Sequence, residues 1–142
     1  MSIRSRFSLH DLAQGIAKVA AIEGDFVLRS GLASHHYFDK YRFEGLPHLL
    51  QPLARAMSDL LPPQTEIIAG LELGGIPLVT ALSLETGLPA AFIRKEAKSY
   101  GTCQAIEGQN IAGKKVTFIE SRWLFTSTKN FCSFFFSGFN QS

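Results

Sequence analysis

Apolar residues recur at helical spacing in two stretches early in the chain. The first stretch follows Ser8, which together with Asp11 has the pattern of a capping box, and we expect its helix to end at Gly24. The second stretch runs over residues 46–61 and has Pro47 in its first turn, where a helix tolerates proline. Each stretch predicts a helix with one apolar face.

Between these two helices the pattern becomes typical of β-structure. The runs FVLRSG and HHYFDKYRF are rich in aromatic and β-branched residues and are separated by SGLAS. Such runs, joined by a short segment of small and turn-forming residues, predict a small hairpin or a pair of strands.

The second half of the chain alternates short apolar runs with a helical one. Strands are predicted for EIIAG, AAFI and KKVTFI, a glycine-rich turn for LELGGIP, and a helix closed by Gly87 for LVTALSLETG. Strands separated by helices and longer crossings predict an α/β domain with a parallel sheet. We place this domain at residues 1–120 and treat residues 121–142 as an atypical tail.

The segment RKEAKSYGTCQAIEGQNIAG, between the last two predicted strands, has no clear period. We expect a long loop, and loops of this length in compact domains are usually functional or mobile. It carries Arg94, Lys95 and Lys98 directly after a predicted strand, where open α/β sheets bind their ligands. These cations favour an anionic ligand, with phosphate as the first choice. The alternative is a solvated, charged loop.

Composition narrows the possible classes of function. A net charge of +2 is too small to indicate a nucleic-acid partner, and no apolar run reaches the length of a membrane span. The N-terminus lacks the apolar core of a signal peptide, so we expect a cytoplasmic protein with no nucleic-acid or membrane partner. Cys103 and Cys132 are isolated, which predicts two free thiols.

Four segments, in their order and spacing, resemble the orotate phosphoribosyltransferases. They are FVLRSGLASHHYFD, GLELGGIPLVTAL, FIRKEAKSYGTCQAIEG and KKVTFIE, within about residues 7–120. The resemblance implies the type I phosphoribosyltransferase fold, a parallel sheet flanked by helices with an N-terminal helix and a small, hood-like hairpin region. It also implies the family's reaction and a homodimer. In that reaction ribose 5-phosphate passes from phosphoribosyl pyrophosphate (PRPP) to orotate, with Mg²⁺, giving orotidine 5′-monophosphate and pyrophosphate in pyrimidine (UMP) biosynthesis.

The resemblance assigns roles to residues of the loop and of the glycine-rich turn. The loop residues at the PRPP site would be Arg94, Lys95, Lys98 and Tyr100. Lys98 would be the main catalytic cation on the pyrophosphate. Glu72, Gly74 and Gly75 would lie under the pyrophosphate, where glycines let backbone N–H groups approach oxygen atoms closely. Alternatively, the two glycines only mark the turn from strand to helix.

The resemblance also reaches the hairpin. Arg29 matches a position that usually holds lysine, and Tyr37 and Phe38 match an aromatic pair near the orotate. A flat pyrimidine stacks well on such rings, although the pair could equally pack in an ordinary core. The neighbouring His35 and His36 would face opposite ways on a strand, so we predict no metal ligands among the side chains.

The family pattern changes abruptly after the last predicted strand. By resemblance, two adjacent acids should follow it, then a glycine-containing turn with Thr or Ser that cradles the 5′-phosphate. Glu120, the first acid, would hold the ribose hydroxyls, but Ser121 replaces the second, Arg122 and Trp123 follow, and no glycine occurs before Gly138. We therefore expect a gene disrupted after Glu120, by a frame change or truncation, and an incomplete sheet. A divergent paralogue is the alternative.

The sequence is interpreted as an orotate phosphoribosyltransferase that is weak or inactive in this form. The alternative is a non-catalytic remnant or regulatory module that binds orotate, pyrophosphate or a nucleotide. A phosphoribosyltransferase for another base is less favoured, because of the RKEAKSYG loop. In the tail, the apolar run FCSFFFSGF either is an aggregation-prone strand or covers an exposed sheet edge.

Overall fold

The computed structural model describes residues 8–121 and 134–139, with residues 121 and 134–139 described by their backbone alone. The chain divides into two compact units, Met1–Ala56 and Met57–Ser142. The elements in chain order are α1 (Leu9–Ala20), β1 (Ala21–Val27), β2 (Ala33–Phe38), α2 (Lys40–Glu44), α3 (Pro47–Ser58), β3 (Ile67–Leu71), α4 (Ile76–Thr86), β4 (Ala90–Ile93), β5 (Ile106–Gly108), β6 (Val116–Ser121) and β7 (Phe134–Phe139). None of the helices in the described ranges is long and apolar enough to cross a membrane.

The first helix begins where the sequence predicts but ends earlier. The Ser8 hydroxyl accepts a hydrogen bond from the Asp11 N–H at 3.1 Å and donates one to the Asp11 carboxylate at 2.7 Å, so the capping interaction is confirmed. The helix ends at Ala20, and the chain passes directly into β1. The predicted end at Gly24 is wrong, because this glycine lies within β1, at the shift in strand register between Glu23 and Phe26.

The predicted hairpin is confirmed, but its second strand is shorter than expected. β1 and β2 pair antiparallel from Ala21 opposite Phe38 to Val27 opposite Ala33. The rest of the run HHYFDKYRF is not strand. Asp39 accepts a hydrogen bond from the Tyr41 N–H at 3.1 Å and thereby caps the short helix α2.

The second unit contains a mixed sheet of five strands in the order β5-β4-β3-β6-β7. β3 pairs in parallel with β4 and with β6, whereas β5 and β7 are antiparallel to their neighbours. The α/β fold and the parallel arrangement of the three predicted strands are confirmed. The two antiparallel edge strands were not predicted.

The core of the second unit consists of alternating strand residues and one helix. Ile67, Ala69, Ala91 and Val116 are buried together. α4 packs against β3 and β4 with Leu78, Val79 and Leu82 buried. Full burial of an aliphatic side chain of this size stabilises a fold by roughly 1.5–3 kcal/mol, so this helix and the three parallel strands form a stable platform.

Within the tail, the strand β7 joins the sheet through its backbone. β7 pairs with β6 over the whole length of both strands, from Val116 opposite Phe139 to Ser121 opposite Phe134. An open strand edge invites association with other chains, and this pairing closes one edge of β6. The backbone pairing therefore favours the edge-covering interpretation of the Phe-rich run.

Candidate active site

The sheet has a topological switch point between β3 and β6. The chain leaves β3 for β4 on one side and later enters β6 on the other side of β3. In open α/β sheets, ligands bind in the crevice outside the carboxyl ends of the strands at such a point. Here the β3–α4 turn, residues 72–75, and the exposed Glu120 near the end of β6 lie at that edge.

The β3–α4 turn is packed so tightly that it requires glycine. A Cβ atom on Gly75 would lie 2.8 Å from the Ile119 carbonyl oxygen, and one on Gly70 would lie 2.6 Å from the Gly75 oxygen. The Gly75 N–H donates to the Leu71 oxygen at 2.7 Å, so this amide is engaged within the turn. Close packing against β6 thus accounts for Gly75. The expectation that Glu72, Gly74 and Gly75 lie under the pyrophosphate stays a prediction.

Glu72 connects the turn to the start of the cationic loop, which comprises residues 94–105. Its Oε1 accepts a hydrogen bond from the Lys95 N–H at 2.8 Å. Its own N–H donates to the Ile93 oxygen at 2.8 Å, and the peptide bond between Glu72 and Leu73 is cis. The Glu72 carboxylate therefore holds the loop backbone at the carboxyl end of β4, and Gly74 lies in the same turn.

The cationic loop is shorter than the sequence predicts, because a strand interrupts the long segment between AAFI and KKVTFI. β5 comprises only Ile106–Gly108 and pairs antiparallel with β4. A run of three residues is too short to show a period, which explains why it was not predicted. The loop therefore joins two paired strands, and the Arg94 N–H donates to the Ala105 oxygen at 2.8 Å across its base.

Two loop cations converge on one carboxylate oxygen. Lys98 Nζ lies 2.6 Å from Glu107 Oε1, and Arg94 Nε lies 3.3 Å from the same atom. The side chains of Lys98 and Glu107 are 17% and 28% exposed. The hydrogen bond from Lys98 is the main cause that lowers the pKa of the Glu107 carboxyl, with smaller contributions from the charges of Lys98 and Arg94; partial desolvation opposes the shift.

Glu107 is the site residue that sequence reasoning missed. It lies within the segment FIRKEAKSYGTCQAIEG, where the sequence alone gives it no role. The strand register places it opposite Phe92, two residues before Arg94, so its side chain and that of Arg94 project from the same face of the β4–β5 pair. Only the pairing of β4 with β5 reveals this proximity.

The remaining loop residues lie at the surface. Tyr100 is exposed, and its ring centre lies 5.9 Å from Lys98 Nζ, at the outer limit of a cation–π contact. The Lys95 side chain is exposed as well. In this loop Arg94 and Lys98 contact Glu107, Tyr100 lies near Lys98, and Glu72 holds the backbone of Lys95.

The aromatic pair of the hairpin does not form one stacking surface. Tyr37 stacks on Phe26 with ring centres 5.3 Å apart, whereas Phe38 packs edge-on against the buried Phe43 at 6.4 Å. Successive strand residues face opposite ways, and Tyr37 is the more exposed of the two rings. The role of the pair near the orotate stays a prediction. Arg29 is exposed in the turn between β1 and β2.

The described residues contain no group of three His, Cys, Asp or Glu side chains suited to hold a metal ion. At the end of β6, Glu120 is followed by Ser121, and residues 122–133 lie outside the described residues. The sequence-based expectations for Arg122 and Trp123 fall in that segment.

Comparison with known proteins gives several relatives that are named orotate phosphoribosyltransferase. An orotate phosphoribosyltransferase from Nocardioides sp. is 51% identical over 109 residues, covering 77% of this chain and 61% of the relative. A crystal structure of Mycobacterium tuberculosis orotate phosphoribosyltransferase with Fe(III) dicitrate is 28% identical, with a TM-score of 0.68, covering 78% of this chain and 65% of the other. A second structure of that enzyme, with inorganic phosphate, is 26% identical, with a TM-score of 0.66 and coverage of 78% and 63%. No protein-family model matches the chain.

The chain spans about three fifths of the length of the Nocardioides relative. Over the matched region both the sequence and the α/β fold are similar to those of these proteins. Over this region the chain is homologous to these orotate phosphoribosyltransferases.

Proposed function

We propose that this chain transfers ribose 5-phosphate from PRPP to N1 of orotate, with release of pyrophosphate, in UMP biosynthesis. The observation that carries the proposal is the convergence of Lys98 and Arg94 at the carboxyl end of the β-sheet, on a loop fastened to the β3–α4 turn by Glu72. Cations concentrated at this edge suit a polyanionic substrate. The relatives' shared name and the phosphate bound by the mycobacterial enzyme support the same ligand class.

The chemistry requires charge stabilisation more than covalent assistance. As pyrophosphate leaves, negative charge grows on it and the ribose gains oxocarbenium character. Lys98 and Arg94 would donate hydrogen bonds to the departing pyrophosphate and stabilise its charge. Glu120 would accept hydrogen bonds from the ribose hydroxyls, and Tyr37 would stack on the orotate ring. Each contact positions a reactant, which by itself lowers the barrier.

Mg²⁺ is part of this proposal as a companion of PRPP. The described residues offer Glu120 as an exposed carboxylate near the switch point, while Glu72 already accepts a hydrogen bond from Lys95. Mg²⁺ commonly binds through one or two carboxylates, water and substrate phosphates, so this donor set fits an ion that arrives with its diphosphate. When bound, it would neutralise charge on the leaving group. We also extend the proposal to a homodimer, as the family resemblance implies.

A second candidate is binding without turnover. Its specific support is at the end of β6, where Ser121 follows Glu120 and the antiparallel strand β7 pairs beside it. A single carboxylate at this position would hold the ribose less firmly than two acids. In this case the chain would bind pyrophosphate or a nucleotide and release it unchanged.

The test is consumption of orotate in the presence of PRPP and Mg²⁺, followed by absorbance. We expect at most weak turnover in the wild type, because Ser121 replaces the second acid expected after Glu120. In Lys98→Ala we expect a further loss of about a hundredfold or more, the scale of removing one donor to a developing anion. Lys114→Ala, which removes a lysine paired only loosely with Glu66 at 3.9 Å, serves as the control and retains activity. A folded wild-type protein that binds pyrophosphate without consuming orotate would favour the second candidate.

A further inference from the structure

We propose that Glu107 is the resting counter-ion of the cationic loop, and that a diphosphate ligand takes Lys98 and Arg94 from it by exchange. In this role Glu107 occupies the loop cations when no ligand is present and releases them when one binds. The inference rests on the proposed function for the identity of the ligand. It gives a role to Glu107 of the IEG segment, which has no role in the proposed reaction.

The first support is the geometry of the cluster. Both cations contact the same atom, Glu107 Oε1, with Lys98 Nζ at 2.6 Å and Arg94 Nε at 3.3 Å. Two cations and one carboxylate leave a net charge of +1 on the cluster. The side chain expected to act on the pyrophosphate is therefore engaged by an internal anion, and a ligand must displace that anion or share the lysine with it.

The second support is that the backbone of Glu107 is held more firmly than that of Lys98. Glu107 lies in β5, paired with Phe92, and Ile106 beside it packs on the core of the unit. Gly108 has φ +82°, and a Cβ atom there would lie 2.8 Å from the Ala90 oxygen, so glycine is required to keep β5 this close to β4. The Lys98 N–H, in contrast, reaches the Gln104 oxygen only at 3.5 Å, the long limit of a hydrogen bond.

The third support is energetic. An ion pair that is partly open to water contributes little net stability, so it can hold a loop and still yield to a competitor. Pyrophosphate carries several negative charges and offers more acceptor oxygens than a carboxylate. Exchange of the cations from Glu107 to such a ligand is therefore favourable, and it returns the cluster to its paired state when the ligand leaves.

A permanent positioning role for Glu107 predicts the opposite result. If Glu107 keeps Lys98 aligned in the complex, its removal weakens ligand binding, as removal of Lys98 does. If Glu107 competes with the ligand, its removal strengthens binding. The sign of the change in affinity therefore separates the two roles.

The experiment measures the Kd of pyrophosphate by calorimetry for the full chain and its variants. We expect Glu107→Gln to bind about two- to fivefold more tightly than the wild type. Glu96→Gln removes the same charge from an exposed position of the same loop and controls for the general increase in positive charge. We expect it to change the Kd much less. In a Lys98→Met background, Glu107→Gln should lose most of its effect.

Unchanged or weaker binding in Glu107→Gln, or an equal gain in Glu96→Gln, would overturn the inference. If the wild type does not bind pyrophosphate at all, the proposed function fails, and amide hydrogen exchange without ligand still decides the resting role. We then expect faster exchange at the amides of Lys98 and Cys103 in Glu107→Gln but not in Glu96→Gln. Equal exchange in all three proteins would overturn the resting role as well.

Discussion

Two glutamates, one in each unit, differ in burial, in hydrogen-bond partners and in the direction of their pKa shifts. Glu44 in α2 is only 6% exposed, and neither of its carboxylate oxygens has a hydrogen-bond partner among the described residues. Burial raises its pKa to about 7, Lys40 opposes the rise, and Asp39 adds to it. Glu107 is partly exposed and shared by two cations, and the Lys98 hydrogen bond lowers its pKa.

The comparison shows that ionisation destabilises a buried carboxylate without partners, whereas ion pairs stabilise a charged one. A buried carboxylate without partners destabilises a fold when it ionises, so Glu44 gains most from staying protonated. A carboxylate with two cationic partners stays charged and holds those partners in place. Substitutions of Glu44, Lys98, Arg94 and Glu107 each change one of these two environments, and we expect their effects to decrease in that order.

The largest effect is expected for Glu44→Gln, which imitates the protonated acid. Because the folded pKa of about 7 lies above the ordinary value of 4.5, stability due to the protonated group is fully present below that value and lost as the pH rises through about 7. The wild type should therefore lose stability between about pH 5 and pH 8, and the variant much less. At pH 8 we expect its free energy of unfolding, from urea titrations, to be higher by about 1–3 kcal/mol. Parallel pH profiles of the two proteins would contradict this account.

The next effect concerns the cation that dominates the environment of Glu107. In Lys98→Met the pKa of Glu107 should rise toward its ordinary range, because its hydrogen bond to Lys98 is the main cause of the lowering. Carbon-13 NMR of the side-chain carboxyl follows this titration directly. Lys114→Met, a control on the loosely paired lysine beside Glu66, should leave the Glu107 titration where it is.

A smaller rise is expected for Arg94→Gln. Arg94 Nε contacts Glu107 at 3.3 Å, against 2.6 Å for Lys98, and its contribution to the lowered pKa is smaller. The same carboxyl titration measures it. If Arg94→Gln raised the pKa of Glu107 more than Lys98→Met did, the ranking of the two cations would be wrong.

The smallest effect is expected for Glu107→Gln, on the free energy of unfolding. A lowered folded pKa means that its contribution is present above the ordinary pKa and lost as the pH falls through the folded value. Glu107→Gln should therefore be slightly less stable than the wild type near neutral pH and equal to it in acid. Urea titrations at a series of pH values from neutral into acid test this, and a difference that does not shrink as the pH falls would have another cause.

Much of the second unit could be predicted because its signals are local. The apolar runs of β3, β4 and β6, and Gly87 with φ +76° after α4, each specify their own element. In the first unit, predictions were wrong where one residue type is compatible with two kinds of local structure. Asp39 ends a β-rich run by capping α2, and Gly24 lies at an irregularity in β1 rather than ending α1.

The candidate site could be predicted only where the family motifs name residues. Arg94 and Lys98 were recognised from the RKEAKSYG run, but their contact with Glu107 depends on the pairing of β5 with β4, which no local pattern indicates. Glu72 was expected near the pyrophosphate, and its hydrogen bond to the Lys95 amide spans 23 positions of the chain. Such contacts follow from tertiary structure, which propensity and periodicity do not encode.

We infer that Lys98 and Arg94 exchange their contacts with Glu107 for contacts with an anionic ligand. The most direct test is the carboxyl titration of Glu107 in the wild-type chain, with and without saturating pyrophosphate. If the cations exchange, pyrophosphate raises the pKa of Glu107 toward its ordinary range, because the carboxylate loses its cations to the ligand. Tight binding of pyrophosphate with an unchanged, lowered pKa would show that Lys98 stays on Glu107, and would contradict the account.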